Sequence, residues 1–252
     1  MFDSHCHITD IINTEAPELV LAKAQAAGVR NVLTCGYDTQ SNQLVCDLAK
    51  RMPHLPFALG LHPWYANENV DDVLRLIEAH HPTAIGEIGL DLWGDTPCWP
   101  IDRQLYVLEA QLQCAVRLDL PVTLHSRKAV DTLLHVLRNH PGIRGALHAY
   151  SGSYEQIRPL LDVGLYVGVG GAITRNRAKR VRRCASLLPL DRILLETDAP
   201  AIGMDAVSPP HVRPEHLVYV RDALAAVRSI TPDIVDQSTD QNASALFGVN
   251  LQ

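Results

Sequence analysis

The sequence predicts a (β/α)8, TIM-like barrel. Three observations carry this: short apolar segments alternate with helix-like ones from end to end, glycines stand where helices should give way to strands, and histidine and carboxylate motifs fall late in the strands. In an eight-stranded barrel the late ends of all strands open onto one face, where active sites lie. An open sheet would scatter the same groups along a crevice.

Taken in order, the first strand spans 1–7, where side-chain alternation projects His5 and His7 to one face and Cys6 to the other. Further strands are expected at 30–36, 56–62, 84–89, 121–125, 144–148, 165–171 and 192–198. Between the fourth and fifth, Leu105, Leu108, Leu112 and Ala115 recur at three- and four-residue steps, the stripe of a half-buried helix over 102–119. Such crossovers imply parallel strands. Gly28, Gly142 and Gly164 mark helix ends. Pro209-Pro210 marks a loop, followed by helices over 213–229 and 231–247.

The length of 252 residues suits one such domain, covering 1–252, and a 47% apolar composition supports a large core. No Gly/Ser/Pro linker, low-complexity tract or repeat beyond the β/α alternation divides the chain. No apolar run reaches the roughly 20 residues that span a bilayer. Cleavage of an N-terminal signal would remove His5 and His7, and Cys6, Cys35, Cys46, Cys98, Cys114 and Cys184 show no CxxC spacing. A cytoplasmic location with reduced thiols and no membrane is therefore expected, and no obligatory protein partner is evident. A net charge of −6 argues against a long basic surface for duplex DNA. The basic run at 175–183 reads as a solvated helix face, at most guiding a strand.

Six side chains converge if the barrel forms: His5, His7, Glu87, His125, His148 and Asp198. Imidazole with carboxylate suits Zn²⁺, Mn²⁺ or Ni²⁺ better than Mg²⁺ alone. Six candidates exceed the three protein ligands of many single-metal catalytic sites but serve two divalent cations if a carboxylate bridges them. Glu87 is the expected bridge, between a His5/His7 half and a His125/His148 half. Asp198 is the expected acid/base, with hydrolysis by metal-activated water the expected reaction. No Gly-x-Ser-x-Gly elbow competes. His54, His80, His81, His135, His140 and His216 are read as ordinary surface or core histidines. Gly168, Gly170 and Gly171 are read as sites of tight packing or as backbone donors to a phosphate.

The ordered motifs resemble one family: Asp3-Ser4-His5-Cys6-His7, Gly60-Leu61-His62-Pro63-Trp64, Gly86-Glu87-Ile88-Gly89-Leu90-Asp91, His125-Ser126-Arg127, His148-Ala149-Tyr150-Ser151-Gly152 and Glu196-Thr197-Asp198-Ala199-Pro200. With the segment from Asn242 to Gly248, they are similar to the TatD family of metal-dependent deoxyribonucleases. The resemblance is strongest to its YjjV branch, through Leu92-Trp93-Gly94-Asp95 and Gly168-Val169-Gly170-Gly171. It implies the amidohydrolase-like form of the barrel, the same six metal ligands, and hydrolysis of DNA phosphodiesters from 3′ ends in repair or turnover.

Among the matching motifs, His62, Asp91, Arg127 and Tyr150 are expected to contact substrate, with an internal ion pair as the other reading for Asp91 or Arg127. One departure stands out: His211-Val212 precedes Arg213-Pro214-Glu215, where the branch commonly has Asn before Arg-Pro-Glu. A second reading of the metal pair is an amidohydrolase, esterase or lactonase acting on a small carbonyl compound. Given the charge, DNA ends or nucleotides are the expected substrate, with frayed or single-stranded ends preferred over duplex interior.

Overall fold

Eight parallel strands follow one another in sequence order in a computed structural model that describes residues 1–12, 14–94 and 98–250. They are β1 (Phe2–Cys6), β2 (Asn31–Cys35), β3 (Phe57–Leu59), β4 (Ala84–Asp91), β5 (Val122–Arg127), β6 (Gly145–Leu147), β7 (Tyr166–Val169) and β8 (Ile193–Leu195). The helices among the described residues are α1 (Ile8–Ile11), α2 (Pro17–Ala26), α3 (Thr39–Arg51), α4 (Val70–His80), α5 (Ile101–Leu118), α6 (Val130–Arg138), α7 (Tyr154–Asp162), α8 (Lys179–Leu187), α9 (Leu217–Arg228) and α10 (Pro232–Phe247). No helix among them is long and apolar enough to cross a membrane.

Every expected strand forms, but several limits move. β4 and β5 extend to Asp91 and Arg127 because Leu90 and Asp91 stay in register with Ser126 and Arg127. β3, β6 and β8 stop at Leu59, Leu147 and Leu195, so His62, His148 and Asp198 stand on the turns beyond. At two of those turns the backbone turns left-handed, at Ala149 (φ +47°) and Asp198 (φ +52°), a conformation no strand accommodates.

The seam between β8 and β1 is closed differently from the other seven. The Asp198 N–H donates to His5 O at 2.9 Å and the His7 N–H to Ala199 O at 2.7 Å. Below them the buried Asp3 carboxylate accepts the Thr197 N–H at 2.9 Å and the Thr197 hydroxyl at 2.6 Å. A side chain thus replaces part of the backbone ladder.

Gly28, Gly142 and Gly164 adopt φ of +87°, +96° and +91° just beyond α2, α6 and α7, as the helix-end reading requires. On α5, Leu108, Leu112 and Ala115 are buried while Leu105 is only partly so. Burial of each leucine contributes roughly 1.5–3 kcal/mol. Two glutamines share that face because each satisfies backbone groups: Gln111 bonds the N–H and C=O of Leu61, and Gln104 those of Asp91. They fix the ends of β3 and β4 just where the site begins. Near the strand starts, Phe2, Leu33, Ala58, Ala84, Ala146 and Leu194 pack on Ala243, Leu246 and Phe247, so α10 covers the end of the barrel opposite the site. All six cysteines are unpaired, and only Cys98 is exposed.

Candidate metal centre

Glu87 occupies the middle of the barrel mouth. Its Oε2 faces His5 Nε2 at 3.4 Å and His7 Nε2 at 3.6 Å, and its Oε1 faces His125 Nδ1 at 2.9 Å and His148 Nε2 at 2.7 Å. Asp198 Oδ1 closes the first half, 3.2 Å from His7 Nε2 and 3.9 Å from His5 Nε2. The six residues chosen from sequence therefore share one site. Two glycines make the approach possible. A Cβ on Gly86 would lie 2.1 Å from Thr123 Cγ2, and one on Gly89 2.0 Å from His125 O, so β4 and β5 could not come together with a side chain at either position.

Neighbouring groups orient the rings. His7 Nδ1 donates to Cys35 O at 3.0 Å, which turns Nε2 toward the cluster, and His5 Nδ1 pairs with Thr123 Oγ1 at 2.9 Å. His125 Nε2 lies 3.2 Å from Asp91 Oδ2. Cys6 is fully buried in the core, away from the histidines on either side of it.

The donor set fits a divalent cation. His5 Nε2 and Asp198 Oδ1 are buried without a hydrogen-bond partner, an expensive state unless another group satisfies both. Candidate ligand atoms of His5, His148 and Asp198 lie within 4.8 Å of one another, as do those of His5, His7 and Glu87 and of His62, Glu87 and His125. His62 differs from the rest. Its Nδ1 accepts the Trp64 N–H at 3.1 Å, so the neutral ring carries its proton on Nε2, which points at Glu87 Oε1 from 3.3 Å. Such a ring is a donor, not a ligand.

Without a cation, protons balance the carboxylates. Burial pushes the Glu87 pKa up, but His148, His62 and His125 outweigh it and hold the group well below the usual range. Burial acts likewise on Asp198, and the positively charged His7 ring 3.2 Å from its Oδ1 brings it down. His7 and His148 are disfavoured as cations by burial, yet Asp198 and Glu87 raise them to about 9 and about 10. His5, buried and beside His148, falls to about 4.

A model of the family described as TatD related DNase matches residues 2–248. The chain belongs to the TatD family. It is 36% identical over 254 residues to an uncharacterised metal-dependent hydrolase, YjjV, of Escherichia coli, covering 98% of this chain and 97% of that one. It is 31% identical over 264 residues to the 3′-5′ ssDNA/RNA exonuclease TatD of Salmonella typhimurium, covering 99% of each. The crystal structure of Escherichia coli YjjV superposes with a TM-score of 0.89 at 34% identity, covering 99% of this chain and 98% of that chain.

Within this TatD mouth, a cavity of about 590 Å³, His62 and Arg127 line the wall with five of the six cluster residues. Asp91 and Tyr150 lie outside that lining. Asp91 is buried, and although burial raises its pKa, bonds from His125, the Trp93 N–H and the Trp64 indole bring it to about 2. It braces His125 and Trp64, while Arg127 stacks over Trp93 with 4.3 Å from Cζ to the ring centre. The Tyr150 hydroxyl donates to Ser153 O at 2.8 Å, which fixes the loop before α7.

Sequence reasoning missed several wall residues, among them Asp10, Tyr37, Trp64, Tyr65, Ser126 and Ser151. The histidine motifs flank Trp64 and Ser126, but Tyr37 and Asp10 carry no sequence signal. It also missed buried Glu196, which burial pushes up to about 8 and which accepts the Ala149 N–H. Gly168 makes room for it: a Cβ there would lie 2.0 Å from Glu196 Oε2, so packing explains that glycine. Arg213 pairs with Glu15 at 3.2 Å and bonds Pro210 O, a structural role, and exposed His211 is outside the lining. From the basic run, Arg175, Arg180 and Arg182 bond backbone carbonyls of Gly203, Ser151 and Ile173. Asp95 lies outside the described residues.

Proposed function

We propose that the chain, acting as one catalytic unit, trims DNA from its 3′ ends using two divalent cations held on either side of Glu87. The division of the histidines between the two Glu87 oxygens carries this reading. His5, His7 and Asp198 would hold one cation and His125 and His148 the other, with Zn²⁺, Mn²⁺ or Ni²⁺ matching the imidazole donors better than Mg²⁺. The cations supply Lewis acidity, neutralising the phosphate and making the attacking water more acidic.

The remaining steps belong to side chains. Asp198, ionised at neutral pH, accepts the proton of the water and returns it to the leaving oxygen. His62 offers its Nε2–H to a phosphate oxygen, and exposed Arg127 holds a neighbouring phosphate. The name of the Salmonella relative supports a single-stranded DNA or RNA substrate. The unpaired thiols suit a cytoplasmic role in DNA repair or turnover.

A covalently closed single-stranded circle and a linear strand of the same sequence test this with Mn²⁺ present. The linear strand is expected to shorten stepwise while the circle survives. Cutting of both at similar rates, or hydrolysis only of small amides or lactones, would reject the reading.

A further inference from the structure

The chain has three tryptophans, and hydrogen bonds through Asp91 and the Trp64 backbone link all three beside the mouth. Trp64 follows β3, Trp93 follows β4 and Trp99 precedes α5. The Trp99 indole N–H donates to Trp64 O at 2.9 Å, the Trp64 indole donates to Asp91 Oδ2 at 2.7 Å, and the Trp93 N–H donates to Asp91 Oδ1 at 3.0 Å. Despite this anchoring, Trp64 is 48% and Trp93 52% exposed. The Trp64 ring is thus held by its indole bond and Trp93 by its backbone, yet both rings are left half in water, which forgoes burial that indole normally gains.

Two cations complete the feature. Arg127 Cζ lies 4.3 Å and Lys128 Nζ 5.5 Å from the centre of the Trp93 ring. Lys128 takes a left-handed backbone, φ +58°, strain that is tolerated where a side chain must be aimed. Trp64 and Arg127 also line the cavity that contains Glu87, so one indole and one cation of this feature share a wall with the cluster, and Trp93 lies against that Arg127. Aromatic faces for bases, alternating with cations for phosphates, are what an unpaired strand requires.

We propose that Trp93, with Trp64 and the Arg127 guanidinium, forms a stacking platform for an unpaired nucleobase adjoining the scissile phosphate. This rests on the nuclease reading above and names what selects the strand. Bases inside a duplex have both faces covered by neighbours and cannot use the platform. The platform discriminates by base faces and not by hydrogen-bonding edges, so it accepts any sequence.

The test measures fluorescence anisotropy in EDTA, where hydrolysis is absent, with two labelled probes: a short oligothymidylate and an abasic strand of equal length and charge. The protein should bind the base-bearing probe roughly 5- to 100-fold more tightly. Trp93→Ala should erase most of that preference, with abasic binding weakened far less than base-bearing binding, and Trp93→Phe should keep part of it. The Trp93 N–H bond to Asp91 is backbone and survives both substitutions. Equal affinity for the two probes, or a preference that persists in Trp93→Ala, would overturn the platform. Hydrolysis of a linear strand with Mn²⁺ is scored separately. Base-dependent binding without hydrolysis would retain the platform and reject the nuclease reading, whereas hydrolysis without base dependence would reject the platform alone.

Discussion

Asp198 joins strain to chemistry. Its backbone is left-handed, its N–H is tied to His5 O, and its carboxylate is ionised beside His7. Replacing it by Asn keeps the shape and removes the proposed base. We expect Asp198→Asn to fold and hold metal while its rate falls roughly 10²-fold or more. Turnover alongside metal content by atomic absorption checks this, and joint loss of both would make Asp198 chiefly a ligand. At this scale the sequence was legible where one rule sufficed. Alternation put His5 and His7 on one face and Cys6 in the core. It was silent where a role depends on a proton or a turn: the tautomer of His62 follows from the Trp64 N–H, and Tyr150 faces Ser153 because the chain bends at Ala149.

Among the elements, β1 and β8 depend most on a side chain. Asp3 accepts two bonds from Thr197 and brings together the strand of His5 and the turn of Asp198. Truncation would leave the buried Thr197 N–H and the hydrogen of its hydroxyl without an acceptor. Asp3→Ala is expected to lose about 2–4 kcal/mol, seen as a thermal midpoint lower by roughly 5–15 °C. A midpoint within a degree of wild type would show that the seam does not need Asp3. The strands themselves were readable from apolar runs between glycine-marked helix ends. Their late limits were not, because continuation to Asp91 and Arg127 depends on pairing between β4 and β5, and termination at Leu147 and Leu195 depends on backbone angles beyond them. The seam was likewise hidden, since Asp3 and Thr197 are 194 residues apart.

For the whole molecule, charge in the mouth links stability to pH and metal. His7 and His148 rise from 6.5 to about 9 and about 10 on folding, so their contribution is complete below pH 6.5 and fades as pH climbs through those values. Glu87 and Asp198 are lowered from 4.5 and 3.8, so theirs is present above those values and lost on acidification. The metal-free protein should therefore lose thermal stability from pH 6.5 to 10. Saturating metal, which takes the place of the protons, should remove that decline. Thermal scans with EDTA and with Zn²⁺ across this range check it, and parallel curves would contradict it. In this −6 chain Arg127 and Lys128 lie over Trp93, a pairing the sequence could not reveal because the indole follows β4 and the cations stand at the end of β5.

Two cations flanking Glu87 are the central claim, and anomalous diffraction from crystals saturated with Mn²⁺ or Zn²⁺ tests it most directly. Two peaks are expected at the mouth, one between Glu87 and the His5/His7/Asp198 group and one between Glu87 and His125/His148. A mouth without anomalous signal, or cations bound only elsewhere on the molecule, would contradict it.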